Sequence, residues 1–208
     1  MAISSLSKFT VPLASDQSAS AQGMLMPKLK YRFRVMFENF GVSTPTTELT
    51  KQVQEAARPN VQFADQKIEV YNSTIHYAGR PTWQTMTIKL RDDVTGAVSK
   101  LVGEQMQKQF DFFEQSSAAS GGDYKFLMRI EMLDGGNGAN TPNVLETWEC
   151  YGCYITATNY QSLSYSGQEI LTIDMTIQPD NCLQITGGAA APTSWAKGTA
   201  ATGAGNRV

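Results

Sequence analysis

Two stretches, Tyr124-Lys125-Phe126-Leu127-Met128-Arg129-Ile130-Glu131-Met132 and Leu171-Thr172-Ile173-Asp174-Met175-Thr176-Ile177-Gln178, decide the fold class. In the first, Tyr124, Phe126, Met128, Ile130 and Met132 alternate with Lys125, Arg129 and Glu131. In the second, Leu171, Ile173, Met175 and Ile177 alternate with Thr172, Asp174, Thr176 and Gln178. A period of two puts each apolar set on one face of a strand, with a wet face opposite. Such alternation belongs to antiparallel sheets, because strands of a parallel sheet are buried on both faces.

Two more segments follow the same rule. Tyr31, Phe33, Val35 and Phe37 oppose Arg32, Arg34 and Glu38; Met86, Ile88 and Leu90 oppose Thr85, Thr87, Lys89 and Arg91. Weaker strands are expected over 48–55, over 66–77 with a break near Asn72-Ser73, and over 145–156. Gly135–Gly138 and Tyr165-Ser166-Gly167 have turn composition. One helix is expected, capped by Asp92 or Asp93. Val94, Val98, Leu101, Val102, Met106, Phe110 and Phe113 form its stripe, ending near Glu114. The expectation is a mainly β, antiparallel sandwich or barrel-like domain of about seven strands with one flanking α-helix.

Residues 1–27 are rich in Ser, Ala and Gln, and 186–208 in Gly, Ala and Thr. Neither has enough apolar surface to offset its ordering entropy, so both read as arms flanking a domain at 28–185. The 208-residue chain carries a net charge of −2 and no dense run of Lys or Arg, which speaks against stable binding to DNA or to an acidic membrane. No stretch has the roughly 18 consecutive apolar residues that span a bilayer, and the N-terminus does not read as a signal peptide. Three cysteines cannot all pair within the chain, which suits a reducing cytosol.

No catalytic constellation emerges. His76 is the only histidine, lies in a strand-like stretch, and has no nucleophile elbow or catalytic-cysteine signature to join. Cys150-Tyr151-Gly152-Cys153 has the spacing of a metal or redox pair, but a zinc site would have to recruit Cys182 and His76, and a redox pair opens a helix rather than lying in a strand. These cysteines read as small buried hydrophobes. Asp92-Asp93 reads as a helix cap. Gly135–Gly138 lacks the helix and the following lysine of a phosphate cradle. In Lys30-Tyr31-Arg32-Phe33-Arg34 the aromatics face away from the arginines, which fits a sandwich strand better than a nucleic-acid platform. No catalytic residue, cofactor or metal ligand is expected.

The order of elements resembles the tail tube proteins of contractile-tailed bacteriophages, a superfamily that includes the type VI secretion tube. The match begins with the opening strand 30–38. It continues with Ala56-Ala57-Arg58-Pro59, Gln66–Val70, and Ala78-Gly79-Arg80-Pro81-Thr82-Trp83-Gln84 feeding strand 85–90. The aromatic end Phe110-Asp111-Phe112-Phe113 follows, then Trp148–Ile155, Leu163-Ser164-Tyr165 and Glu169–Ile177. The terminal extensions depart from that pattern.

The resemblance implies a non-enzymatic structural subunit, with hexameric rings whose joined sheets form a barrel around a channel for DNA ejection. The implied partners are further copies of the chain, a contractile sheath protein, and baseplate and tail-terminator proteins. DNA passes without specific binding, and no stable membrane association is expected. The implied location is the virion tail, assembled in the host bacterial cytoplasm. Thr85, Thr87, Lys89, Thr172, Asp174 and Thr176 are candidates for the wet face lining the lumen. The segment from about Arg58 to Asn72, where Pro59 and an irregular alternation interrupt the strands, is expected to reach the next ring, with Arg58, Phe63, Lys67 and Glu69 as contact candidates. Two rivals stand beside this reading: the tube subunit of a phage-derived injection machine, and a small β-rich binding module.

Overall fold

In the computed structural model, residues 28–42, 46–135, 142–186 and 193–194 are described. The arm expected over 1–27, residues 136–138 of the expected turn and most of the C-terminal extension lie outside them. The chain divides into two units, Met1–Arg32 and Phe33–Val208. Of the first, Lys28–Arg32 is described, with a turn closed by the Arg32 N–H on the Leu29 carbonyl at 3.2 Å.

In the second unit the chain runs through β1 (Phe33–Glu38), α1 (Thr47–Gln52), β2 (Val53–Ala56), β3 (Val61–Val70), β4 (Ser73–Trp83), β5 (Met86–Arg91) and α2 (Ala97–Gln109). There follow β6 (Phe110–Asp111), β7 (Ser116–Ser117), α3 (Gly121–Tyr124), β8 (Phe126–Leu133), β9 (Val144–Tyr160), β10 (Thr172–Gln178), β11 (Asn181–Thr186) and β12 (Thr193–Ser194). Among the described residues every strand pairing is antiparallel. The main sheet has the order β1-β8-β9-β10-β5-β2, with β11 also on β9 and β12 on β11.

Strand β9 organises this sheet. Its first half pairs with β8 and β11, and its second half with β10, so two layers share one 17-residue strand. The change of direction falls at Gly152. Between the pairs Phe126–Cys153 and Met128–Cys150, β9 carries one residue more than β8, a bulge in which Gly152 adopts φ +64°. A side chain there would be strained, and it would also collide with the Asp180 carboxylate, whose oxygen lies 2.2 Å from the ideal Cβ position. The same bulge turns both Cys150 and Cys153 inward, although a spacing of three would place them on opposite faces of a regular strand.

The inner faces supply the core: Val35 and Phe37 from β1, Met86, Ile88 and Leu90 from β5, Phe126, Met128 and Ile130 from β8, and Ile173, Met175 and Ile177 from β10. Removing each such side chain from water stabilises the fold by about 1.5–3 kcal/mol. Val98, Leu101 and Val102 of α2 close over them. The outer face of β1, β8 and β9 carries a cross-strand ladder, in which Arg34 bonds Glu131 and Arg129 bridges Glu38 at 2.7 Å and Glu149 at 2.8 Å. Burial opposes the charge on Glu149, but hydrogen bonds from Tyr151 and Arg129 outweigh it and hold the carboxyl below its usual range.

The structure corrects several boundaries. The strand expected over 48–55 is a helix followed by a four-residue strand: Leu49 is buried in the core from the helix, and pairing with β5 begins only at Val53, opposite Leu90. The first strand starts at Phe33 rather than at Tyr31. Helix α2 is shorter than its stripe suggested. Asp93 does accept from the Ala97 N–H at 3.0 Å, yet the helix starts only there, and Val94 is exposed. At its other end Phe110 turns extended (φ −151°) to pair with Ser117, so Phe110 and Phe113 leave the stripe. A buried position falls instead to Gln105, which accepts from the Gly41 N–H at 3.0 Å and donates to the Tyr124 carbonyl at 2.5 Å. Among the described residues no helix is long and apolar enough to cross a membrane.

Candidate assembly surface

Among the described residues, strands β3 and β4 pair only with each other. They form a long hairpin that leaves the main sheet beside β5, turning at Tyr71-Asn72 with Tyr71 at φ +54°. Every residue of β3 after Val61 is exposed. The root is well held. The Gln84 N–H donates to the Asn60 carbonyl at 2.9 Å, Gln178 Nε2 to the Trp83 carbonyl at 3.0 Å, and Trp83 Nε1 to Asn181 Oδ1 at 3.2 Å. Arg58 reaches Glu146 at 3.9 Å, a buried carboxylate that also accepts from Trp148 Nε1 at 2.6 Å and Gln184 Nε2 at 2.7 Å.

Along this hairpin the apolar face changes sides. Near the root the pairs Val61–Trp83 and Phe63–Pro81 share one face, and Trp83 packs on the core. Beyond Ala64 that same face carries Asp65, Lys67 and Glu69, opposite Ala78, His76 and Thr74. The other face now carries Ile68, Val70, Ile75 and Tyr77. The transition coincides with a bulge: two residues of β4, Gly79 and Arg80, stand opposite Ala64 alone. The irregular alternation in the sequence therefore marks a hairpin whose root turns Trp83 onto the core and whose tip carries its apolar residues on the opposite face. Ile68 is 50% exposed, Val70 52%, Ile75 47% and Tyr77 53%, with nothing of the described chain covering them. A two-stranded ribbon with a bare apolar face is marginal in water unless another surface covers it.

Of the expected contact residues, Phe63, Lys67 and Glu69 share one face of this hairpin, while Arg58 lies in the loop before it. Ile75 and Tyr77, on the returning strand, were not singled out; the signal for them is the switch of apolar parity between Phe63 and Ile68. The polar candidates Thr87, Lys89, Thr172, Asp174 and Thr176 lie together on the outer face of β5 and β10, in the register Thr87–Thr176 and Lys89–Asp174. Lys89 Nζ stands 3.9 Å from Asp174 Oδ1, and Gln161 Nε2 donates to Asp174 Oδ2 at 2.7 Å. Thr85 is exposed and precedes β5.

The groups weighed for chemistry do not converge. His76 Nδ1 lies 3.1 Å from both Asp65 oxygens on the exposed hairpin, remote in the fold from the cysteines. Cys150, Cys153 and Cys182 are free and buried. A hydrogen bond with Cys182, together with burial, pushes the Cys150 thiol up, and burial pushes Cys153 up to about 12. Among the described residues no group of three or more His, Cys, Asp or Glu could hold a metal ion.

The fold has known counterparts. The chain superposes on a protein of the anti-feeding prophage cap, a tube-terminating cap, with a TM-score of 0.57 and 16% identity over 79% of this chain and 95% of that one. It superposes on a chain of the sheath/tube terminator of the extracellular contractile injection system PVC with a TM-score of 0.55 and 15% identity, over 78% and 99%. A chain of the PVC sheath–tube complex gives 0.53 and 16%, over 77% and 93%. These likenesses show the fold: the chain shares that of the tube-associated chains named above. No protein-family model matches the chain, and no curated protein matches it by sequence. Within this fold the β3–β4 hairpin carries apolar surface that the other described residues leave uncovered.

Proposed function

We propose that this chain is a non-enzymatic structural subunit of a phage tail tube, whose copies close into hexameric rings and stack around a channel for DNA ejection. The observation that carries the reading is the uncovered apolar tip of the β3–β4 hairpin on a tail-tube fold. A stacked copy would remove that face from water, and the charges on the opposite face of the tip, Lys67 and Glu69, would set register. The wet face of β5 and β10 supports a lumen: threonines and a matched Lys89–Asp174 pair give a polar, charge-balanced wall on which DNA would not stick. In this role the chain works with a contractile sheath protein and with baseplate and terminator proteins, in a virion tail assembled in the host bacterial cytoplasm.

Negative-stain microscopy of the purified chain, alone and with other tail components, tests the proposal. Rings or tubes of uniform width are expected. A stable monomer that forms neither, even with those components present, would overturn it.

The second reading, a tube subunit of a protein-delivering injection machine, is favoured by one observation: the likenesses reported above come from extracellular contractile injection systems and the anti-feeding prophage. Particles purified with this chain separate the two. Nuclease-protected DNA in filled capsids supports the phage tail, and capsid-free sheathed particles support the machine.

A further inference from the structure

Strand β11 brings a cysteine into the core directly opposite another. In the β9–β11 register Cys182 pairs with Cys150. Both side chains are buried, and their thiols share a hydrogen bond. Directly opposed residues of an antiparallel pair have Cα atoms about 4.5–5.5 Å apart, inside the roughly 4.4–6.8 Å that a disulfide spans. The backbone need not move to join them. Cys153 is placed differently: its register partner is Phe126 of β8, and its Sγ donates to the Cys150 carbonyl at 3.3 Å. Of the three free thiols, the register sets only Cys150 and Cys182 face to face.

Access comes from the edge of the sheet. On the side of β11 away from β9, the strand pairing among the described residues is to β12, at Ile185 and Thr186, so residues 181–184 have no strand there. An edge opens locally at less cost than the centre of a sheet. Lifting β11 uncovers Cys182, while Cys150 stays on β9, which lies between β8 and β11.

We propose that Cys150 and Cys182 form a disulfide site, reduced while the chain is made and oxidised by a low-molecular-weight disulfide once the chain leaves a reducing compartment, so that β11 is stapled to β9. The change of compartment rests on the tube reading above; the bond itself requires only this fold. The chemistry is thiol–disulfide exchange. One sulfur of the small disulfide bonds to the Cys182 sulfur, and the other leaves as a thiol with the Cys182 proton. When β11 pairs again, the Cys150 sulfur displaces the second small thiol, which takes the Cys150 proton. Two protein thiols are thereby oxidised to one disulfide, and one small disulfide is reduced to two thiols. The staple closes a loop of roughly 30 residues that contains all of β10.

The test uses the purified full chain, folded at neutral pH and incubated with oxidised glutathione, then quenched in acid and unfolded. Free thiols should fall from three to one. A non-reducing chymotryptic map, which cuts at Tyr151 between Cys150 and Cys153, should join Cys150 to Cys182. The melting temperature should rise by roughly 10 °C over that of the reduced chain. Cys153→Ser should lose two thiols and gain the same shift, whereas Cys182→Ser should gain no shift. If either variant fails to fold, the map of the unaltered chain decides alone. Three thiols remaining, glutathione held on a single cysteine, a link to Cys153, or links only between chains would each overturn the proposal. A chain that forms this disulfide, yet makes neither rings nor tubes in its reduced form with tail components, would overturn the tube reading and leave the disulfide site standing.

Discussion

Gly79 faces Ala64 across the β3–β4 bulge so closely that a β-carbon at 79 would lie 2.8 Å from the Ala64 carbonyl oxygen and 3.1 Å from its side chain. Both close neighbours belong to a paired strand and cannot swing away. The glycine of the Ala78-Gly79-Arg80 motif is thus what lets two residues of β4 stand against one of β3, and hence what lets the apolar face change sides.

Gly79→Ala should accordingly act on the hairpin and leave the body intact. The expected cost is about 1–3 kcal/mol of local strain, seen as faster hydrogen exchange at amides of 61–83 while those of β8 and β10 stay protected. Tube formation should fall in step. Unchanged exchange across the hairpin would show that the bulge tolerates a side chain.

The two faces of the tip should respond differently to substitution. Ile68→Asp puts a charge into the apolar contact and should abolish tubes at any salt concentration, while rings persist. Lys67→Glu and Glu69→Lys, each made singly on the charged face, should shorten tubes at low salt and recover as salt screens the repulsion, within a Debye length of about 8 Å at physiological ionic strength. Electron microscopy across a salt series reads both. Full-length tubes from both single reversals at low salt would remove the electrostatic part of the contact.

Gly152→Ala should damage the whole body instead. The added carbon meets Asp180, which Lys125 also holds at 2.5 Å, and the residue must keep φ +64°. A loss of about 2–4 kcal/mol in chemical denaturation is expected, with lowered protection in β8, β9 and β11 together. A loss confined to one loop would contradict the role given to this bulge.

The cysteines set an alkaline limit. Cys150 and Cys153 are held as neutral thiols in the folded chain, the first by its hydrogen bond with Cys182 and by burial, the second by burial to about 12. In the unfolded chain a thiol ionises near its ordinary value of about 8.5. The raised folded values stabilise the fold in full below that pH and less as pH rises from there toward 12, at up to about 1.4 kcal/mol per pH unit for each thiol. Denaturation at pH 8 and pH 10 should show that decline. Cys150 and Cys153 should also escape alkylation in the folded chain and react fully in denaturant. Replacing both with Ser should lower stability without abolishing assembly.

Alternation by itself determined that β1, β5, β8 and β10 are half-buried antiparallel strands, because which side of a strand is apolar depends only on neighbouring residues. The stripe Val98, Leu101 and Val102 marked α2 in the same way. Where these elements stop was not local. Phe110 continues a helical spacing but leaves the helix for a pairing with Ser117, and Leu49 enters the core from a helix rather than from a strand. The bulges at Gly152 and Gly79 were equally hidden, since a bulge is a mismatch between two strands and exists only once they pair. From the sequence, Val61, Phe63, Ile68 and Val70 look like a broken alternation. Pairing with β4 across the bulge decided that the first two share a face with Trp83, which packs on the subunit itself, while the last two turn their side chains to whatever lies beyond it.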